Sequence, residues 1–389
     1  MFPRSSLLMF SLSSLFLATA SQAEVFLDAA SVESSSHSFG LGIGSIANEN
    51  AAGQSPLVST SNPLPTSISV TGEYTYSPGE VEIDEIFDDN IKEDIIISGY
   101  KAIGLIPLGR IGGARYPSGF GLTASQSTLE VKSGFQDSKS RQAIDRFSAM
   151  GSVGVGIFNF GLSAVMFTEN RKSESHYSYT SSQSLRNVQS QDSSKVDYSN
   201  LRVGAGVELN SSARLALNYA PRQTKWYKED SERHETVVAT GIVTREERKD
   251  LESTGDDQEL AVGAQFSPNR AVKIMPGVAR QFPHSETREE QDGTRTIRDT
   301  HSTDGSTTWS LGGEYGSSRK LAPFGAVQYA RLENATMRGI SLGASSSPAA
   351  ASALTLGLSG GYRVLNNDSD RSSVTLRQWT GIFSFGGHF

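Results

Sequence analysis

The sequence predicts an all-β fold: a transmembrane antiparallel up-and-down β-barrel of about fourteen strands, preceded or plugged by an N-terminal segment. Three observations predict it. Apolar residues recur at every second position over many short stretches, as strands with one apolar and one polar face require. Short turns alternate with long polar connections, an asymmetry that a membrane-anchored barrel shows and a soluble sandwich has no reason to adopt. The last stretch, Ser372 to Phe389, reads SSVTLRQWTGIFSFGGHF, and steps of two back from Phe389 give Gly387, Phe385, Phe383, Gly381 and Trp379 on one face.

The first residues read as an export signal. Arg4 precedes a run of small and apolar residues from Leu7 to Ala20, and Ser21-Gln22-Ala23 forms a small-x-small cleavage site. The run is too short for a membrane-spanning helix, and no later stretch approaches about 18 consecutive apolar residues. Cleavage after Ala23 divides the chain into a signal peptide (1–23), an N-terminal segment (24–65) and the barrel (66–389). Composition agrees: the chain has 389 residues, 38 of them Gly, with 37% hydrophobic and a formal net charge of −7. Mean hydropathy is −0.32, low for a helical membrane protein but ordinary for a barrel, in which every second strand residue meets lipid. The absence of Cys removes disulfides, thiolate catalysis and thiolate metal sites together. An acidic total argues against a nucleic-acid partner.

Residues 24–65 are rich in Ser, Ala, Gly and Asn without periodicity, which suits a leader, a periplasmic tail or a segment folded inside the lumen. The first strand follows: Val70, Tyr74 and Tyr76 share one face, Ser69, Thr71 and Glu73 the other, before an acidic, turn-like stretch from Pro78 to Asp94. Leu201, Val203, Ala205, Val207 and Leu209 point to lipid, with Arg202, Gly204, Gly206 and Glu208 inward. Across a tight turn at Asn210, Leu215, Leu217 and Tyr219 resume. Leu260, Val262, Ala264 and Phe266, then Val272 and Ile274, then Leu356, Leu358, Tyr362 and Val364, repeat the pattern. Short turns are expected at Phe158-Asn159, Asn210 to Ala213, Ser267 to Ala271, Gly316 to Lys320 and Ser345 to Ala350. Long loops are expected over Glu169 to Lys195, Lys228 to Asp257 and Pro283 to Gly305. Two strands carry weak signals, the uniformly apolar start at Ile95 to Ile97 and the short segment 336–345, so a count of about twelve is the alternative.

The aromatic closing strand resembles that of bacterial outer-membrane barrels, where the terminal aromatic is the assembly signal. The resemblance gives that role to Phe383, Phe385 and Phe389 and implies the barrel-assembly machinery, outer-membrane lipid and lipopolysaccharide as partners. A barrel of this size behind a Gly/Ala/Asn-rich leader further resembles the FadL-type transporters of long-chain fatty acids and other hydrophobic compounds. That family carries an Asn-Pro-Ala-like hatch motif. The comparable residues here are Asn50, Ser55, Pro56 and Leu57, with Ser55 in place of the motif's Asn and Leu57 in place of its Ala. The resemblance implies passive transport of a small hydrophobic or amphipathic solute through a plugged lumen, with exit through a gap that Gly119 and Gly121 would permit. The alternatives are a surface-interaction barrel with long acidic loops and an open general porin.

Candidate pathway residues are Phe167 and Phe324, which fall on the inward parity and suit an apolar solute. The inward charges Arg202, Arg222, Glu314 and Arg363 join them, with Glu73, Glu208, Glu259, Gln265 and Gln328 on the same parity. None of the six His pairs with a Ser and an acid on neighbouring strand positions, so no enzyme is expected. Asp88, Asp89, Glu93 and Asp94 match no recognised calcium loop, and no metal or cofactor is expected. Within 228–257, Arg245, Arg248 and Lys249 are candidate contacts to lipopolysaccharide, and Val237, Val238, Ile242 and Val243 suit a small hairpin.

Overall fold

The computed structural model describes residues 69–85, 91–111, 116–133, 138–181, 184–210, 212–224, 227–237, 242–269, 271–292, 295–303, 305–315, 321–331, 335–346, 355–368 and 372–388. The expected signal peptide (1–23), the segment 24–65 with Asn50, Ser55, Pro56 and Leu57, and the terminal Phe389 lie outside these residues.

Among the described residues there are seventeen strands and no helix: β1 (Ser69–Glu85), β2 (Ile91–Ile111), β3 (Tyr116–Ser133), β4 (Ser138–Val155), β5 (Phe158–Ser181), β6 (Ser184–Asn210), β7 (Ala213–Thr224), β8 (Tyr227–Val237), β9 (Ile242–Asn269), β10 (Val272–Gln281), β11 (His284–Asp292), β12 (Arg295–Thr303), β13 (Ser306–Tyr315), β14 (Leu321–Arg331), β15 (Ala335–Ser346), β16 (Thr355–Asp368) and β17 (Ser372–His388). A ring of antiparallel pairings runs from β1 through β7, on through β9, β10 and β13 to β17, and closes from β17 onto β1. Fourteen strands make up that ring. The other three prolong its members past a break. β8 pairs with β6 and β9 as β7 does, β11 pairs with β9 as β10 does, and β12 returns along β11 into β13. At the last junction Gly305 takes φ 78°, a left-handed conformation that costs a glycine little.

Closure matters because an open edge would leave unpaired N–H and C=O groups in hydrocarbon, at several kcal/mol each. The register carries one parity around the whole ring. On its outer side, Leu342, Leu358 and Trp379 are 64%, 66% and 64% exposed, and Leu201, Val203, Leu217, Val262, Leu311 and Val327 are exposed with them. An apolar surface this wide would be untenable in water and is what a lipid-facing band requires. Aromatics mark its two edges. Near the long-strand end Trp309 stacks on Tyr329 (ring centroids 5.6 Å apart) and Tyr362 meets Trp379 at 4.4 Å. Near the short-turn end stand Phe158, Phe160, Phe266, Tyr315 and Phe385.

The closing seam between β1 and β17 has a built-in repair. Pairing holds on both sides of Ser77-Pro78, from Tyr76↔Gly381 to Gly79↔Gln378, which sets Trp379 opposite Pro78. Proline has no N–H to give. Instead the Ser77 hydroxyl donates to the Trp379 carbonyl at 2.8 Å and lies 2.5 Å from Thr380 Oγ1, while Gln378 Nε2 donates to the Ser77 carbonyl at 3.3 Å. Ser77, Gln378 and Thr380 are all buried on the inner face, so side chains restore what the backbone lacks.

Several expectations are corrected. The stretch from Pro78 to Asp94 is not a turn: β1 continues to Glu85 and β2 begins at Ile91. Both stretches with weak signals form strands, Ile91–Ile111 and Ala335–Ser346. The turn expected at Phe158-Asn159 lies two residues earlier, at Gly156-Ile157. Gly156 adopts φ 63° there, and Phe158 and Phe160 stay on the outer parity. The turns near Asn210 and Asn269 fall where expected, each capped by its Asn side chain, with Asn210 Oδ1 accepting from Ser212 N and Asn269 Oδ1 from Ala271 N and Val272 N. The three long loops are not loops but extended hairpins. β5 and β6 pair out to Ser181↔Ser184, β8 with β9 out to Val237↔Ile242, and β11 with β12 out to Asp292↔Arg295. Backbone hydrogen bonds suffice for such pairing above a membrane, and with both faces polar the segments carry no amphipathic signal.

Candidate functional site

An apolar layer lines the inner face toward the long-strand end. Val81, Ile95, Ala330, Met337, Leu365 and Leu376 are all at most 3% exposed, and Ile97, Leu129, Val131 and Val374 pack against them. The register explains why residues so far apart in sequence meet. Met337 stands opposite Ala330 and Leu365, Leu365 opposite Leu376, and Leu376 opposite Val81. Ile95 stands opposite Gly79 and Val131, and Ile97 opposite Leu129. Seven adjacent strands, β14 to β17 and β1 to β3, thus contribute to one layer. Most barrel lumens are polar; this part of the inner face is not.

One step toward the short-turn end the character changes. The next inner positions hold Gln328, Gly339, Arg363, Gln378 and Gly79 in register. Gln328 is buried with its Nε2 lacking a hydrogen-bond partner; Gln265 Oε1, three strands along the ring on β9 and one inner position nearer the short-turn end, is in the same condition. Buried amides normally find partners. The spare amide of Gln328, next to the apolar layer, can receive the polar end of an amphipathic guest.

The other candidate residues are spread around the ring. Glu314 stands opposite Phe324 and Lys273, and Phe324 opposite Gly343, on the inner parity of β13, β14 and β15. Phe167 stands opposite Arg146 and Tyr198, and Arg202 opposite Ser163, on the β4–β6 wall. They do not form one cluster. Arg222 falls within a register shift between Ala220 and Gln223, and Gln223, opposite Asp257, takes the inward parity instead. The count of alternate residues failed there because a bulge adds a residue to one strand.

Gly119 and Gly121 do not kink β3. Gly119 pairs with Pro107 and Ser152, and Gly121 with Leu105 and Met150. The irregularity of this region belongs to β2, where the register shifts between Pro107 and Gly109. In the acidic cluster, Glu93 is buried on the inner parity and Asp94 is exposed on the outer one, so they cannot converge on an ion, while Asp88 and Asp89 lie outside the described residues. Among the described residues no group of three or more potential ligands could hold a metal. Phe383 and Phe385 face lipid at 47% and 52% exposure, with ring centroids 6.4 Å apart. Sequence reasoning missed Val81, Ile95, Met337, Leu365 and Leu376. Leu365 and Leu376 could have been found by following the inner parity of the last two strands.

A closed antiparallel ring with a lipid-facing apolar band is a transmembrane β-barrel of the outer-membrane type. Solved structures narrow the description to the FadL-like form of that fold. The P. putida toluene transporter TodX superposes with TM-score 0.59 at 13% identity, over 84% of this chain and 91% of TodX. The Ralstonia pickettii toluene transporter TbuX gives 0.54 at 11%, over 86% and 92%. A Pseudomonas aeruginosa FadL homologue gives 0.55 at 10%, over 83% and 90%. At these identities the likeness is one of fold. No protein-family model matches the chain, and no curated protein matches it in sequence.

Proposed function

We propose that this barrel carries small hydrophobic or amphipathic solutes passively across a bacterial outer membrane. The observation that carries the reading is the buried apolar layer on the inner face, from Ala330 and Met337 across to Val81 and Ile95. A water-filled porin needs the opposite lining. Transfer from water into such a layer is favourable by roughly 25 cal/mol per Å² of apolar surface, so the layer concentrates apolar solutes near the outer mouth. Gln328 would hold a polar end group below it. Two of the superposed barrels are toluene transporters, which supports the same solute class. The segment 24–65 is assigned the role of plug.

Met337→Glu puts a carboxylate into the layer, where an unpaired charge is strongly disfavoured. Uptake of a radiolabelled alkylbenzene by cells carrying this variant is expected to fall by about tenfold or more, a barrier change of about 1.4 kcal/mol. Uptake of a small sugar should be unaffected. Unchanged alkylbenzene uptake at equal surface abundance would sink the assignment of the path. In planar bilayers the intact protein is expected to be nearly silent and a variant lacking 24–65 to conduct. Steady conductance by the intact protein would make it an open porin.

A further inference from the structure

Above the aromatic edge near the long-strand end, the outer surface carries two kinds of rim. On β17, β1, β2, β3 and β4 the outward charges are mixed and paired. Arg377 Nη1 donates to Glu82 Oε2 at 2.9 Å, Lys92 Nζ lies 3.5 Å from Glu80 and 3.7 Å from Glu82, and Arg141 lies 3.9 Å from Glu130. The hydrogen bond from Arg377, then the charge of Lys92, hold the Glu82 carboxyl below its usual range. On β10, β13, β14 and β15 the rim is different. Arg280, Arg331 and Arg338 are exposed on the outer parity, and among the described residues none of them forms an ion pair and no acidic side chain of these strands shares that face.

The register fixes their spacing. Arg280 pairs with Thr307, which pairs with Arg331, so the two arginines stand two strands apart on one row, about 10 Å. Arg331 pairs with Thr336 and Arg338 with Tyr329, which makes Arg331 and Arg338 diagonal neighbours at about 7–8 Å. Arg280 is further steadied by the Phe282 ring, 5.8 Å from its guanidinium carbon. Trp309 and Tyr329, stacked and exposed, lie one outward position below Arg280 and Arg331 and in the same row as Arg338. Three guanidinium groups with no ion-pair partner among the described residues, beside an aromatic ledge and over an apolar wall, match a lipid that bears phosphates on its head and acyl chains beneath.

We propose that the outer surface of β10, β13, β14 and β15 is a binding site for a phosphorylated glycolipid of the outer leaflet, with Arg280, Arg331 and Arg338 holding its phosphates and Trp309 and Tyr329 its sugar and upper acyl region. The site lies on the lipid face and is independent of the lumen. The test is retention of glycolipid by the full-length protein, refolded in neutral detergent and examined by native mass spectrometry. Bisphosphorylated lipid A is compared with the same lipid after phosphatase treatment. Wild type is expected to retain the phosphorylated form. Arg331→Gln and Arg338→Gln should each weaken retention about fivefold, and the double variant by their product. Arg141→Gln, on the paired rim, should leave it unchanged. Lysine at 331 and 338 should restore part of the binding, and provides a folded comparison if the glutamine variants assemble poorly. Equal retention of dephosphorylated lipid A, or by the double glutamine variant, overturns the site. Displacement of the lipid by an equal concentration of inorganic phosphate also overturns it, since the site would then recognise free phosphate.

Discussion

Leu342→Arg is expected to destabilise the folded barrel in bilayers by about 2–4 kcal/mol, the cost of an arginine on the lipid face near the midplane. Leu342 is 64% exposed, on the outer parity, four residues from Arg338 on one side and two from Ala344 on the other. Its partners in register, Gly325 and Gly360, have no side chain that could pair with or shield a guanidinium. Ser341→Arg, one residue away on the inner parity, should cost much less in electrostatic terms, because the lumen side offers polar groups. Reversible unfolding in urea from lipid vesicles measures both. Similar losses at the two positions would mean that the inside and outside of this wall have been exchanged.

The second large effect is expected at the seam. A Cβ built on Gly79 would lie 2.8 Å from the Arg377 carbonyl oxygen and 3.2 Å from Gln378 Cβ and Cγ. The first neighbour is backbone of the pairing strand and cannot yield without opening the ladder. Gly79→Val should therefore destabilise the barrel by about 1–3 kcal/mol, as overpacking does, and leave a larger fraction of unassembled chain. Gly104→Val is the control, since nothing lies within 4 Å of a Cβ there. The fraction showing heat-modifiable mobility on gels reads the difference; equal fractions for the two variants would refute the crowding argument. Gly72 crowds the Phe385 ring at 2.6 Å instead, and a ring end can swing aside, so Gly72→Val should fall between them.

Much of this architecture was legible because lipid imposes a simple rule on alternate residues. Leu201 to Leu209 and Leu215 to Tyr219 were placed on the correct face from sequence alone. The rule fails where one of its two conditions fails. At Ile95 to Ile97 alternation is absent because Ile95 and Ile97 join the apolar inner layer while Ile96 stays on the outer parity, so both faces are apolar. In the extended hairpins both faces are polar, and there is again nothing to alternate. At Arg222 the chain gains a residue, and parity inverts beyond it. The arginine face was hidden for another reason. Arg280, Arg331 and Arg338 are unremarkable in sequence, and become neighbours only through cross-strand register, which hydrophobic periodicity does not encode.

The seam at Ser77, Gln378 and Thr380 also bears on how the molecule comes into being. Its hydrogen bonds join residues 301 to 303 positions apart. None of them can form until almost the whole polypeptide is present, and the entropy of bringing such distant points together is met at a single late step. Every hairpin before it can zip locally. The ring stays an open sheet until Gln378 and Thr380 reach Ser77, and Pro78, the one place on that edge without an amide hydrogen, tells the last strand where to settle.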